Sequence, residues 1–425
     1  MKFRGQYRTT ILVMLLLAMV INYIDRSALS IAMPFITRDF HLNAAEKGLI
    51  FGAFSIGYAA FNFLGGYFSD RFGARRVLTV SMAGWSIACG LTAAVSGFWS
   101  MLVLRIAFGV GEGPNSATAN KVVNTWFPLN ERATAAGVNQ AGGPLGGALA
   151  GPVVGSLALA FGWRASFLVM AVLGLTWAIA WRWLSTETPA LHPRVSAAEL
   201  EQIEAGQEAV EAEPHEKVSI REVIGTRAVL TTGISLFCYN YILFFFITWF
   251  PSYLVDAKGI SLKDMSLVSS LPWITGAIGF FSGGFLVDTI YRRTGRRMFS
   301  RKVVLVTSLL IAAACIALTG LVDEVYTAVG VMTIAIGLLM LAAPAYWAII
   351  QDSVPRRQVG TASGFMHGLA NCSGIVGPAI TGALVQTTGS FVSAFVLAGV
   401  VGLVGSLILA CFVDGSDRLT EPTLA

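Results

Sequence analysis

Residues 65–76 read GGYFSDRFGARR, and residues 283–297 read GGFLVDTIYRRTGRR. Each has two glycines, three residues, an aspartate and then a basic turn, and each closes the second apolar run of its half of the chain. A landmark repeated once per half marks internal duplication. In a chain this apolar, duplication predicts a transporter of two lobes with its site between them.

Composition supports that reading. Of 425 residues, 55% are hydrophobic and 12% charged, where a soluble domain carries about 25% charged residues. Mean hydropathy is +0.69. A spanning helix takes about 20 mostly apolar residues, which leaves no length for a separate soluble catalytic domain. The net charge of +5 comes from short basic clusters between apolar runs, a pattern of membrane topology and not of nucleic-acid binding. The five cysteines lie in apolar segments without metal-ligand spacing, so neither a disulfide framework nor a zinc site is expected. The first apolar run reads as a span and not as a removed signal peptide.

Windowed apolarity predicts spans at about 9–36, 45–69, 77–96, 98–122, 133–160, 164–185, 227–255, 262–290, 302–322, 326–352, 358–386 and 390–414. The expectation is an all-α membrane protein of twelve helices in two pseudo-symmetric bundles of six, 1–185 and 227–425, with a central cavity between the lobes. Basic residues fall in alternate connections: Lys2, Arg4 and Arg8, then Arg71, Arg75 and Arg76, then Arg132, then the group from Arg292 to Lys302, then Arg356 and Arg357. The positive-inside rule makes both termini cytoplasmic. Residues 186–226 carry SAAELEQIEAGQEAVEAEPHEK with Pro214, and this acidic stretch reads as a cytoplasmic surface linker.

The loop Gly66-x-x-x-Asp70-Arg71-x-Gly73-x-Arg75-Arg76, with its copy from Gly284, resembles the cytoplasmic signature of the major facilitator superfamily. Three further stretches resemble one branch, the anion:cation symporters that include bacterial sugar-acid (galactonate/glucarate-type) proton symporters. These are NYIDRSAL (22–29), RIAFGVGEGPNSATANKVVNTWFPLNERATA (105–135) and FFFITWFPSYL (244–254). The likeness covers nearly the whole chain.

Few charges lie well inside spans: Asp25 and Arg26 in the first, Arg105 and Glu112 in the fourth, and the ionisable His367 in the eleventh. A charge at a span centre costs about 2.5–3.5 kcal/mol unless it has a partner or a wet cavity. At 1.5 Å per residue, Asp25 lies about 24 Å from the cytoplasmic entry and Arg105 about 10 Å from the outer edge. Those heights agree to within about one turn, which predicts an Asp25–Arg105 ion pair across the cavity. Glu112 sits two turns below Arg105 on the same face, so Asp25 and Glu112, at different depths, are candidates for proton coupling. Asp25 and Arg26 point about 100° apart, too far for a good mutual pair. A reading in which these charges only orient helices stands beside the functional one.

Arg26 reads as the ligand of a carboxylate, because a guanidinium forks onto that group with two parallel hydrogen bonds. The resemblance implies the same: the matching arginine contacts substrate carboxylate, and the residues matched by Asp25 and Glu112 couple protons. Arg105 is a second candidate anion ligand. Hydroxyl-reading candidates are Tyr23, Tyr58 and Asn62, Gln140, Tyr241, Trp347, and His367 with Asn371 at i,i+4. Tyr23, Tyr58, Gln140 and Trp347 match binding-site positions by resemblance, with packing or an interfacial belt as the other explanation of each aromatic. His367 stands where sugar-acid permeases usually have asparagine, and Pro344 where serine or glycine is common, so the hydroxyl-reading side departs from the pattern. Gly66, Asp70, Arg71, Arg75, Arg76 and Asp288 are expected to gate conformation as cytoplasmic charge networks.

No P-loop, zinc-protease motif or nucleophile–base pair occurs, and only four histidines are present; an enzyme is not expected. The function implied is proton-coupled uptake of a small organic anion, a sugar acid, by alternating access, with no cofactor beyond the proton gradient. Another carboxylate substrate, anion exchange or drug/proton antiport are the alternatives, the Gly-Pro-rich runs 139–156 and 373–384 keeping exchange open. The expected partners are the anion, protons and the lipid bilayer, with no nucleic acid and no metal. The expected setting is a bacterial-type inner (plasma) membrane, as a multi-pass monomer.

Overall fold

A computed structural model describes residues 6–204, 223, 225–354 and 358–413. Lys2, Arg4, Pro214, Arg356 and Arg357, and the rest of the linker from 205 to 222, lie outside the described residues. The chain forms two compact units, the first drawn from Met1–Glu216 and Thr248–Ser270, the second from Lys217–Ile247 and Leu271–Ala425.

The first part of the chain folds as α1 (Arg8–Phe40), α2 (Ala44–Phe72), α3 (Ala74–Leu91), α4 (Phe98–Glu112), α5 (Asn115–Trp126), α6 (Leu129–Phe161), α7 (Trp163–Leu184) and the short α8 (Ala197–Glu204). There follow α9 (Arg227–Asp256), α10 (Leu262–Val268), α11 (Leu271–Thr294), α12 (Arg297–Leu321), α13 (Val325–Ser353), α14 (Val359–Thr388) and α15 (Val392–Phe412). Among the described residues, ten helical segments are long and apolar enough to cross a membrane, or eleven if the bent pair Ala44–Asn62 and Leu64–Phe72 is one span. The expected fourth span, 98–122, is divided between α4 and α5. Proline has no N–H to donate and its ring clashes with the turn before it, so Pro114 ends α4 and stands as the N-cap of α5.

Close approach fixes the site-bearing helices of the first unit. A Cβ on Gly146 of α6 would lie 2.4 Å from the Val20 carbonyl of α1, so only glycine lets α6 back the turn that holds Tyr23. Gly109 of α4 meets the Phe54 carbonyl of α2 in the same way, at 2.1 Å from an added Cβ. The second unit repeats the device between α11 and α13, where a Cβ on Gly279 would lie 2.1 Å from the Gly337 carbonyl. Both copies of the repeated landmark also serve packing. Gly65 faces Pro114 and Gly283 faces Leu341, each too closely for a side chain, whereas Gly66 and Gly284 meet nothing within 4 Å.

Residues before and after the predicted linker boundary are docked against the first unit. The first N–H groups of a helix lack internal partners, and Tyr7 gives α1 no side-chain cap. Glu199 of α8 supplies one instead: its two carboxylate oxygens accept from the backbone N–H of Tyr7 at 2.9 Å and of Arg8 at 3.0 Å. The buried Arg8 side chain pairs with Glu131 of α6 at 3.3 Å, and His192 stacks on Tyr7 with centroids 3.9 Å apart. Burial and the nearby Arg194 and Arg75 cations hold the His192 imidazole below its usual pKa, in keeping with its Nδ1 accepting from the Arg194 N–H. The second half of α9 also belongs to the first unit, through Lys47–Asp256 at 2.8 Å and an edge contact of Phe51 on Trp249.

Candidate functional site

The middle of the first unit brings together the four charges singled out in the sequence, in a pairing that differs from the expected one. Arg26 Nε donates to Glu112 Oε1 at 3.0 Å, and Nη2 donates to the same oxygen. Glu112 is fully buried and only 11% of the Arg26 side chain is exposed. The Asn22 amide neighbours the Glu112 carboxylate, and both are buried. Arg26 is thus held by a single carboxylate oxygen of Glu112.

Three aromatic rings of α1 and α2 enclose the Arg26 guanidinium, with centroids 5.2 Å away at Tyr23, 5.1 Å at Phe54 and 4.7 Å at Tyr58. Such faces attract a cation, by about 2 kcal/mol or more where water is excluded. Arg105 shares Phe54, at 5.0 Å, and lies 4.8 Å from the Phe108 ring. Its Nε is buried without a hydrogen-bond partner. Two arginines therefore flank one ring, and together with Glu112 they make a desolvated basic centre walled by aromatics.

The expected Asp25–Arg105 ion pair does not form. Asp25, 1% exposed, accepts instead from Trp85 Nε1 at 3.1 Å and from Cys89 Sγ at 3.8 Å, both on α3. Rise per residue gives height but not azimuth, and the turn of about 100° between Asp25 and Arg26 sends the first toward α3 and the second toward α4. Arg26, expected to stand free for a ligand, is paired with an acid 86 residues away.

The expected charge network at the repeated landmark is also rearranged. Asp70 pairs with Lys121 Nζ at 2.7 Å and not with the basic turn beside it. The break at Pro114 makes this possible, because α5 carries Lys121 to α2, where it also meets the Ser69 carbonyl at 2.8 Å. Arg71 donates to the Tyr67 hydroxyl at 2.9 Å and Arg75 to the Arg182 carbonyl. Arg76 and Asp288 make no hydrogen bond or ion pair among the described residues. In the second unit a separate pair joins Arg301 to Asp352.

Of the other candidates, Asn62 lies one turn beyond Tyr58 on α2, its amide nitrogen buried and unpartnered; Gln140 is exposed. In the second unit Tyr241 is buried against Gly377. There the His367 ring lies 6.0 Å from Trp347, and the Asn371 amide donates to the His367 carbonyl at 2.8 Å, bound to its own helix. The second unit's buried polar centre is instead Ser235 with Tyr346, hydroxyl to hydroxyl at 2.9 Å, beside Tyr239. Phe54, Trp85 and Lys121 were missed in the sequence. Phe54 was findable, since it precedes Tyr58 and Asn62 at the same spacing of four. Trp85 carried a weaker signal as a tryptophan in mid-span, away from the interfacial belts where that residue concentrates.

Comparison with known proteins agrees with this architecture. The family model for the Major Facilitator Superfamily matches residues 15–366 and 293–424. The chain is 49% identical over 405 residues to the "Hexuronate transporter" of Bacillus subtilis, covering 95% of this chain and 94% of that one. It is 29% identical over 427 residues to the "D-galactonate transporter" of Escherichia coli O6:H1, covering 98% and 97%. Among solved structures, a D-xylose-proton symporter superposes with a TM-score of 0.77 at 16% identity, covering 97% of this chain and 99% of the other, which shows a shared fold. Its all-α architecture, repeated landmark and matched family model agree: the chain is a transporter, not an enzyme, and belongs to the Major Facilitator Superfamily.

Proposed function

We propose that the protein is a proton-coupled symporter of a sugar acid, a hexuronate or a related hexonate or aldarate, working by alternating access of the bundles 1–185 and 227–425. The observation that carries the reading is the Arg26–Glu112 pair in its aromatic enclosure. A substrate carboxylate and the Glu112 carboxylate compete for one guanidinium. A proton on Glu112 removes the charge that holds Arg26, and the freed fork accepts the substrate in its place. Loss of that proton returns Glu112 to Arg26 and expels the anion. Proton and anion are thereby bound together and released together, which is the requirement of symport.

In the same reading Asp25 is a second proton site, set apart from Arg26 by its bonds to Trp85 and Cys89. Arg105 supports the anion's charge, and Tyr23, Tyr58, Asn62, Gln140, Tyr241, Trp347, His367 and Asn371 read its hydroxyls. Asp70 with Lys121, the basic turn, and Asp288 bias the conformational equilibrium. The relatives named for hexuronate and galactonate transport support the substrate class, and the alternating basic loops support an orientation with both termini inside.

The test is uptake of labelled glucuronate, galactonate and glucarate into proteoliposomes, with and without an inward proton gradient. The expected result is gradient-driven accumulation of at least one of these acids. Counterflow with no net accumulation would assign exchange in place of symport. Arg26→Ala should abolish anion binding, and an Arg26→Ala protein with full affinity would overturn the assignment of the carboxylate ligand.

A further inference from the structure

The first unit has an open groove on α2, α3 and α4 that holds none of the proposed proton or substrate ligands. Its volume is about 480 Å³, within the range of clefts that hold small ligands. Phe61, Phe68 and Phe72 of α2, Val80 of α3 and Val110 of α4 wall it, and Arg76 lies at one end. From Arg76 to Gly84 the groove follows α3 for about 12 Å without another charge. Val80 is 70% exposed, so the slot faces outward from the helices, where a bilayer surrounds the chain.

An elongated apolar slot with a cation at one end has the shape and polarity of an amphiphile with an anionic head. The cation is available. Arg71 and Arg75 are committed to Tyr67 and to the Arg182 carbonyl, and Asp70 to Lys121, whereas Arg76 is exposed and makes no hydrogen bond or ion pair among the described residues. Midway along the groove, between Arg76 and Gly84, α4 contributes Gly111 to the wall, and its carbonyl accepts from the Ser81 hydroxyl at 2.5 Å.

We propose that this groove binds an anionic glycerophospholipid of the leaflet next to Arg76, one acyl chain lying along Phe61, Phe68 and Val80 and the phosphate meeting the Arg76 guanidinium. The chain passes Gly111, the residue before Glu112, and ends toward Gly84.

Native mass spectrometry of the purified full-length protein, offered phosphatidylglycerol and phosphatidylcholine of equal chain length, tests the site independently of transport. One arginine at a membrane surface favours an anionic lipid about fivefold, and that preference is expected of the wild type. Arg76→Gln should bring the preference to about one while lipid still binds. Gly84→Leu should reduce binding of both lipids, because the side chain enters the groove where an added Cβ meets nothing within 4 Å. Arg292→Gln, an exposed charge of the second unit, should leave the preference intact. A wild type that binds both lipids equally, an Arg76→Gln protein that keeps the preference, or a Gly84→Leu protein that binds as much lipid as the wild type would each overturn the site.

Discussion

Where the first unit closes on Arg26 and Glu112, the second closes on the hydroxyls of Ser235 and Tyr346, and the two centres obey different physics. A buried ion pair costs several kcal/mol of desolvation per charge and recovers it only with good geometry, whereas removing one partner costs about 3–5 kcal/mol. A neutral hydroxyl pair contributes about 1 kcal/mol net. Among the described residues, every buried aspartate, glutamate, lysine or arginine (Arg8, Asp25, Lys47, Arg105, Glu112 and Glu199) lies in the first unit. The scaffolds nonetheless share their packing device, with Gly109 and Gly279 each pressed on a backbone carbonyl. The two units share the way their helices approach, while the buried charge lies in the first.

The largest effect should come from breaking the first centre on one side only. Arg26→Ala leaves Glu112 buried without its cation and should lower stability by about 3–5 kcal/mol, read as a loss of folded protein in a denaturant titration. The double variant Arg26→Met with Glu112→Leu should recover the wild-type stability or exceed it by about 1–4 kcal/mol and transport nothing. A double variant as unstable as the single one would mean that the pair is structural.

Much of the architecture was legible in the sequence: the all-α membrane fold and the repeated landmark are as expected, whereas the expected fourth span, 98–122, is divided between α4 and α5. What could not be read was which charge meets which. Hydropathy and rise place a residue along the membrane normal, but partners are chosen around the helix axis, so Asp25 went to Trp85 and Arg26 to Glu112. Lys121 was missed for a different reason. A run of apolar residues across 98–122 hides the break at Pro114, and only the new helix direction brings that lysine to Asp70. The cap on α1 was equally hidden, since nothing near Tyr7 hints that its partner lies in the acidic linker.

An intermediate effect would sharpen the likeness of the two scaffolds. Gly109→Ala and Gly279→Ala should each cost about 1–3 kcal/mol, as overpacking does, while Gly284→Ala, which meets nothing within 4 Å, should melt with the wild type. Unequal losses at Gly109 and Gly279 would show that the units do not rely on the device alike. The smallest effect belongs to the second centre. Tyr346→Phe removes the bonds to Ser235 and should cost about 1 kcal/mol without moving the pH dependence of uptake, and a displaced pH profile would bring the second unit into the proton chemistry.

The Glu199 cap ties the start of α1 to a residue 191 positions later in the chain. At a synthesis rate of about 5–20 residues per second, the ribosome needs on the order of 10–40 s to reach it. Until Glu199 is made, the first N–H groups of the helix that carries Asp25 and Arg26 lack that acceptor. The end of α1 therefore becomes fixed only after the sixth predicted span and the linker behind it have been made, so the segment written first is among the last of its unit to be finished.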